Sequence, residues 1–238
     1  SFRLHYYDIG DYLTREQKLE IISKFGSIKN VPWQNLTPNK NHDWINQRDE
    51  AFEQFMPIGD KTNKGKDSAE SVFILYSLGV NTNRDTWAYN YSSKALKQNM
   101  GRMIEFFNQQ VDEYQSAVKR SKDIDLDSFV DNDPKKIKWT RELKEALPSN
   151  KKSKPFDGGK IAESLYRPFS RQRLYFDKQF VSQNYQIRRL FPEPDTRTPC
   201  ILVSGLGGSE PSALITDIIP NLNCQHSGCQ SFPLRVFE

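Results

Sequence analysis

A short segment rich in amide and hydroxyl side chains contains the first candidates for chemistry. Asn81-Thr82-Asn83-Arg84-Asp85 directly follows an apolar run. Asn and Arg are the side chains that make bidentate contacts with the edges of adenine and guanine. We therefore take Asn81, Asn83 and Arg84 as candidate base-reading residues. The alternative is that the short amides cap turns.

A second group combines arginines with aromatic rings, a pairing that suits phosphate binding and base stacking. The candidate arginines are Arg167, Arg171, Arg173, Arg188 and Arg189. The rings among them are Tyr166, Phe169, Tyr175, Phe176 and Tyr185. The alternative is that these rings form a core and the arginine stems lie along it. Spacing alone leaves both interpretations open.

Charge is distributed unevenly along the chain. Residues 134–190 hold 15 Lys/Arg and 5 Asp/Glu, a net of +10, while the remainder holds 19 and 25, a net of −6. A basic block on a protein with an overall charge of +4 favours a polyanionic partner on one surface. Lys151, Lys152 and Lys154, in a basic loop over 149–159 that we expect to be flexible, are candidate phosphate contacts. A solvated lysine-rich face explains the charge equally well.

Two patterns that suggest metal chemistry are less complete. Cys224, His226 and Cys229 stand within six residues, but a structural zinc site needs four ligands, and the remaining cysteine, Cys200, lies in an apolar run. Glu142-Leu143-Lys144 has the Glu-x-Lys form found in metal-dependent nucleases, where a strand presents both side chains to one Mg²⁺. Here the flanking residues predict a helix.

The glycine-rich turn over 204–209 follows the apolar run Ile201-Leu202-Val203, as nucleotide-binding and methyl-donor loops do. Such a loop must open a helix, and Pro220 leaves room for only a short one. The sequence favours a structural hairpin or loop here.

The elements that must position these residues change character along the chain. Helices are predicted over 14–25 (from a capping box at Thr14), 42–55, 92–119 and 133–147, and a buried strand over 72–76. Residues 123–133 are expected to be irregular. Strands are predicted over 161–169, 173–176, 200–203 and 232–237. The predicted fold class is α+β, with a helix-rich first half and a mixed or antiparallel sheet in the second half.

Composition excludes several classes of protein. No stretch approaches 18 consecutive apolar residues, so we expect no membrane span. The first residues have neither the basic nor the apolar region of a signal peptide, and three cysteines without a framework spacing fit a reducing cytosol. We therefore expect a cytoplasmic protein, and the chain reads as a fragment of a longer one.

Several strings together resemble one family, the Type ISP restriction–modification enzymes. The segment Tyr6 to Glu16 resembles the part that leaves the methyltransferase core of these enzymes. Later strings look like their C-terminal specificity region. These are Asp43 to Arg48, Thr82 to Asn90, Tyr166 to Phe169, Ser204-Gly205 with Ser212 to Asp217, and Gln230 to Leu234.

The resemblance implies a division of labour. The parent enzymes are single polypeptides with a nuclease, a helicase-like translocase, an adenine-N6 methyltransferase and a target recognition domain. On this basis residues 1–13 would be the tail of the methyltransferase core and 14–238 the recognition domain, helical to about 148 and strand-rich from about 160. The parent would use S-adenosylmethionine, ATP and Mg²⁺, and this fragment would bind no cofactor and catalyse nothing alone.

The function expected is sequence-specific binding of double-stranded DNA that places an adenine before the upstream methyltransferase. Upstream methyltransferase and helicase domains of the same polypeptide would be its partners. One rival is an interaction module in which residues 93–119 form a docking helix and no bases are read. Another is a cryptic nuclease that uses Glu142.

Overall fold

The computed structural model describes residues 3–45, 49–62, 70–121, 123–205, 211–225 and 228–236. The helices are α1 Arg15–Phe25, α2 Asp85–Ala88, α3 Ser93–Val118, α4 Leu126–Phe129, α5 Arg141–Ala146 and α6 Ile187–Leu190. The strands are β1 Leu4–Tyr6, β2 Gln34–Leu36, β3 Ser77–Leu78, β4 Tyr89–Asn90, β5 Ile161–Arg167, β6 Ser170–Tyr175, β7 Cys200–Val203, β8 Ala213–Thr216, β9 Ile219–Pro220 and β10 Gln230–Pro233. The chain divides into two compact units, Ser1–Met56 and Pro57–Glu238. None of the helices in the described ranges combines the length and the apolar character needed to cross a membrane.

The first unit holds α1 beside the two-stranded antiparallel sheet β1–β2. The helix begins as predicted, because Thr14 Oγ1 accepts a hydrogen bond from the Gln17 amide (3.3 Å) and Gln17 Oε1 accepts one from the Thr14 amide (2.8 Å). Gly26 ends it with a φ of +64°. The predicted helix over 14–25 is confirmed.

The predicted helix over 42–55 is wrong in the part of that range that the structure describes. Only a short 3₁₀ helix, Glu50–Gln54, is present there. Upstream of it, the Asn39 side-chain oxygen accepts hydrogen bonds from the amides of Asn41 (2.8 Å) and Asp43 (3.0 Å). A side chain that captures backbone amides in this way competes with helical hydrogen bonding.

The second unit contains two four-stranded sheets. One has the order β3-β10-β7-β8 and is antiparallel, and the other has the order β4-β6-β5-β9, in which only β5 and β9 are parallel. The strand predicted over 72–76 lies later, because β3 pairs through Ser77 with Ser231 of β10. Gly79 follows it closely packed, since a Cβ there would lie 2.5 Å from the Asn221 carbonyl oxygen.

Two buried clusters hold this unit together. The first takes residues from both sheets, including Cys200 and Leu202 of β7 and Ala162 and Leu174 of β5 and β6. The second packs the apolar face of α3 against α5, Tyr175 and Phe180. The predicted long helix is therefore confirmed as α3, and its apolar stripe is buried within the unit.

The helix predicted over 133–147 is present only as α5. Asp133 Oδ1 accepts a hydrogen bond from the Lys135 amide (2.9 Å), so its side chain supports a turn instead of a helix start. The 123–133 segment, expected to be irregular, contains the short helix α4. Strands β5, β6, β7 and β10 overlap the predicted ones, and the α+β fold class is confirmed. The proposed domain boundary after residue 13 stays a prediction.

Candidate nucleic-acid interface

The hairpin formed by β5 and β6 exposes two of the candidate arginines. Arg171 and Arg173 are two residues apart on β6, so they lie on one face of the strand, and both are exposed. Glu163 of β5 pairs across from Arg173 and lies on the same face. We call Arg171, Arg173 and the turn Pro168–Phe169 the hairpin surface.

Glu163 is an anionic group of this face, and a second carboxylate, Asp217, lies 4.0 Å from Arg197. Its carboxylate accepts a hydrogen bond from Arg197 Nη2 at 2.7 Å and lies 3.5 Å from Arg171 Nη1. The hydrogen bond from Arg197, with the nearby charges of Arg171 and Arg173, lowers the pKa of Glu163. The carboxylate is therefore ionised at neutral pH and pairs with Arg197 and Arg171, and three arginines against the two carboxylates Glu163 and Asp217 leave one net positive charge.

Arg167 lies at the end of β5, where much of its side chain is already engaged. Its guanidinium carbon lies 4.0 Å from the centre of the Tyr166 ring. Its Nη1 donates to Asn221 Oδ1 (2.9 Å) and to the Tyr166 carbonyl (2.6 Å). Arg167 is half-buried and braces the hairpin, which matches the interpretation that arginine stems lie along a core.

Asn81 and Asn83 attach their segment to residues 182 and 183. Asn81 Nδ2 donates to Gln183 Oε1 (3.1 Å), and Asn83 Nδ2 donates to Ser182 Oγ (3.1 Å). Asn81 Oδ1 accepts from the Asn83 amide (3.1 Å), and Asn83 has a φ of +52°. The amides thus cap a turn, as the alternative interpretation predicted, although Asn83 is exposed.

Arg84 is a structural residue, and we withdraw it as a base-reading candidate. Its side chain is 2% exposed. Nη1 donates to the Phe180 carbonyl (2.7 Å), Nη2 to Thr140 Oγ1 (2.7 Å) and Nε to the Lys138 carbonyl (3.4 Å). Burial lowers its pKa to about 10, against the opposing charge of Glu142. A guanidinium enclosed in this way has no surface to present to a base.

Two of the candidate lysines lie near the asparagine turn. Lys151 and Lys152 line a cavity of about 690 Å³ together with Ser182 and Asn184. Ser182 is the residue that Asn83 contacts, so the structure brings Asn83, Lys151 and Lys152 to one region of the surface. Lys152 also forms an ion pair with Asp112 (2.6 Å). We call Asn83, Ser182, Lys151 and Lys152 the amide surface.

The basic loop over 149–159 is attached to α3. Asn108 Nδ2 donates to the Ser153 carbonyl (2.9 Å), and the Ser153 amide donates to Asn108 Oδ1 (2.8 Å). The expected flexible loop is thus anchored at Ser153, with Lys154 exposed beside the anchor.

Arg188 and Arg189 of α6 have different surroundings. The Arg188 guanidinium lies 4.0 Å from the centre of the Phe176 ring and donates to Asn184 Oδ1 (3.0 Å) and the Phe176 carbonyl (3.1 Å). Burial lowers the pKa of Arg188. Arg189 is exposed and so is the better placed of the two for an external phosphate.

Sequence reasoning missed a basic groove on the outer face of α3. Lys94, Lys97 and Arg102 line an open groove of about 880 Å³ together with Glu105 and Phe156. The signal was present in the helical period, because these cations lie opposite the buried stripe of Leu96, Met100 and others. We count them as additional candidates for phosphate contact.

Two patterns suggested other chemistry: the glycine-rich turn suggested a cofactor loop, and the group Cys224, His226 and Cys229 suggested a zinc site. Most of the glycine-rich turn, residues 206–210, lies outside the described residues, but β7 pairs antiparallel with β8, the next described strand, as a hairpin would. Cys200, Cys224 and Cys229 are buried in the first core cluster, whereas His226 lies outside the described residues. In the described ranges, no three His, Cys, Asp or Glu side chains come together as a metal would require.

Comparison with known proteins places this chain in a family. The family model of the Type ISP C-terminal specificity domain matches residues 71–238, more than half of the chain. The chain therefore belongs to the Type ISP specificity-domain family.

Three solved structures resemble the chain, each with a TM-score of 0.79 and coverage of 99% of this chain. A nuclease-deletion mutant of the Type ISP restriction–modification enzyme LlaGI, in complex with a DNA substrate mimic, is 30% identical. The ATP-dependent Type ISP enzyme LlaBIII bound to DNA is 29% identical, and the DrdV–DNA complex 25%. The chain spans 22%, 15% and 23% of these proteins, respectively. No curated protein matches it.

Proposed function

We propose that the chain is the target recognition domain of a restriction–modification enzyme and binds double-stranded DNA with sequence specificity. The observation that carries this proposal is its membership in the Type ISP specificity-domain family, whose similar solved structures are DNA complexes. The exposed cations of the hairpin surface and the amide surface supply the charge that such binding needs.

Base reading would fall to exposed polar side chains on well-ordered elements. The backbone of Arg171 and Arg173 is fixed by strand pairing, and Asn83 is held by its turn, so each donor extends from a fixed backbone position. Phosphate contacts would come from exposed cations. These are Lys94, Lys97, Arg102, Lys151, Lys152, Lys154 and Arg189.

The bound DNA would present one adenine to the methyltransferase of the parent polypeptide, which would extrude it for N6-methylation. S-adenosylmethionine, ATP and Mg²⁺ would belong to the upstream methyltransferase and helicase domains, and this chain would act in the cytoplasm without a cofactor and without catalysis. The strand that follows the glycine-rich turn supports this division, since a cofactor loop would open a helix.

Two other functions have less support. A docking helix over 93–119 would need an accessible apolar face, but Leu96, Met100 and Phe107 are fully buried inside the unit. For a nuclease site, Glu142 and Lys144 would need to converge. They lie two apart on α5, where Glu142 accepts from Ser182 Oγ (3.3 Å) and Lys144 pairs with Asp127 (2.5 Å).

The test is a selection. The purified chain is incubated with a randomised duplex pool at moderate salt, and the bound DNA is recovered and sequenced. Enrichment of one asymmetric motif that contains an adenine is the expected result. Retention of DNA without enrichment of a motif would mean that the chain contacts only the DNA backbone. That result would favour the interaction module. Mg²⁺-dependent cleavage by the purified chain would favour the nuclease.

A further inference from the structure

The turn between β5 and β6 holds a bulky residue in an unusual backbone conformation. Arg167 pairs with Ser170, so the turn consists of Pro168 and Phe169 alone. Proline at the first of two central positions fixes a negative φ there, as type I and type II turns both need, and in the type II turn the second position takes a positive φ, usually with Gly or Asn. Phe169 occupies that position with a φ of +63°.

Burial does not explain why a phenylalanine stands here. The Phe169 side chain is 93% exposed, so the fold of this chain gains little from the ring while its backbone is strained. Strain of this kind is typically retained where the residue has a task outside the fold.

The surroundings of the ring indicate what it contacts. Arg167, Arg171 and Arg173 all lie within four residues of it, and the last two are exposed on the same strand. The groove of about 420 Å³ beside the ring is lined by Arg171 and Asp217 as well as by apolar Ile215. An exposed apolar ring at the tip of a hairpin, with arginines behind it, matches the wedges that proteins insert between base steps while cations hold the phosphates.

We propose that Phe169 is a wedge that enters the DNA base stack at the recognition site and unstacks one base step. This proposal rests on the proposed DNA-binding function and assigns the hairpin turn its role in it. Arg171 and Arg173 then hold the backbone beside the opened step. The unstacked step is the position from which a neighbouring adenine leaves the duplex at lower cost.

The test uses the whole chain and duplexes of the sequence enriched in the selection, each with 2-aminopurine at one position. Wild type should raise the fluorescence at one step, because the base there loses its stacking. Phe169→Gly should abolish the rise and increase Kd by about 5- to 150-fold. The same change should raise Tm by about 2–4 °C, because glycine adopts a positive φ without strain. Phe169→Leu should keep part of the rise.

Leu234→Ala is the matched control, since it removes another exposed apolar side chain (57%) from a different strand end and should change neither signal. If wild type enriches a motif but Phe169→Gly keeps Kd within twofold and the same fluorescence, the wedge is wrong and the DNA-binding function stands. If wild type retains no duplex, both proposals are wrong. A fluorescence rise that persists in Phe169→Gly would also overturn the wedge.

Discussion

Arg84 has the chemistry of a base-reading side chain, but its surroundings in the fold are those of a buried structural residue. An arginine beside two asparagines is typical of base readout, yet its guanidinium lies over the Phe180 ring at 5.9 Å and donates to three protein oxygens. Removal of such a group leaves buried acceptors without donors. We expect Arg84→Met to reduce the free energy of unfolding by about 3 kcal/mol or more in urea titrations.

The exposed Arg189 provides the control for this prediction. Arg189→Ala should change the free energy of unfolding by less than about 0.5 kcal/mol, because a surface substitution breaks no buried contact. An Arg84→Met protein as stable as wild type would show that the buried guanidinium is not needed.

Arg173 and Lys151 represent the two kinds of proposed DNA contact, base reading and phosphate binding. Arg173→Ala should cost about 1–3 kcal/mol in DNA affinity and relax the preference at one base pair, if the guanidinium reads a base from its fixed strand position. Lys151→Ala should weaken all duplexes alike and reduce the slope of log K against log salt by about 1. Binding isotherms on the enriched duplex and on scrambled duplexes, at several salt concentrations, separate the two. Equal losses on both duplexes for Arg173→Ala would contradict its role as a reader.

The ionisation of Glu163, which lies beside the hairpin surface, makes the free energy of unfolding depend on pH. Its folded pKa is lowered by Arg197, so the carboxylate contributes stability above its unfolded pKa of about 4.5 and loses that contribution as pH falls through the folded value. The difference in unfolding free energy between wild type and Glu163→Gln should be constant above pH 6 and shrink towards zero in acid. Its size should be at most about 1 kcal/mol, because Arg197 is half exposed. A difference that grows as pH falls would reverse the sign and refute the assignment.

At the scale of elements, the helices whose sequence signals lie within a few neighbouring residues were predictable. The capping box of α1 and the long apolar period of α3 both involve residues within a few positions of each other, and both helices begin where the sequence predicts. The strand β3 was displaced because its position depends on pairing with β10, about 150 residues away. The helix predicted over 133–147 was shortened by a side-chain turn at Asp133, which helical periodicity does not register.

The helix α3 provides an element-scale prediction. Phe107 is fully buried, and its ring meets those of Trp139 (6.0 Å between centroids) and Phe180 (6.3 Å). Phe107→Ala should lower the free energy of unfolding by about 3–5 kcal/mol, because it leaves a cavity between the helix and its neighbours. Val118→Ala, on the same predicted stripe but 37% exposed, should cost less than about 1 kcal/mol. Similar losses of unfolding free energy in both variants, measured by urea denaturation, would mean that the buried face of α3 does not stabilise the core.

At the scale of the whole molecule, the sequence predicted the class of protein better than its site. The ordered strings that resemble the Type ISP specificity region match a family model over residues 71–238, and the basic block contains the exposed cations of the hairpin surface. What could not be predicted is which arginines face inward. Arg84 and Arg173 each have a polar neighbour and an aromatic residue within three positions in sequence, and only tertiary packing separates the buried one from the exposed one.

The division into two units leads to a prediction about the three thiols, which all lie in the second unit. Burial raises the pKa of Cys200 and Cys229 to about 12 and that of Cys224 to about 11. Because the thiolate is the reacting form, native protein should label very slowly with a thiol reagent at pH 7–8, and all three should label in urea.

A chain that starts at Pro57 should keep this protection and bind the enriched duplex with a Kd within about threefold of wild type, since every candidate contact lies beyond residue 80. Rapid labelling of the shortened chain would show that the second unit needs residues 1–56 to stay folded. Protection without DNA binding would instead place essential contacts in the first unit.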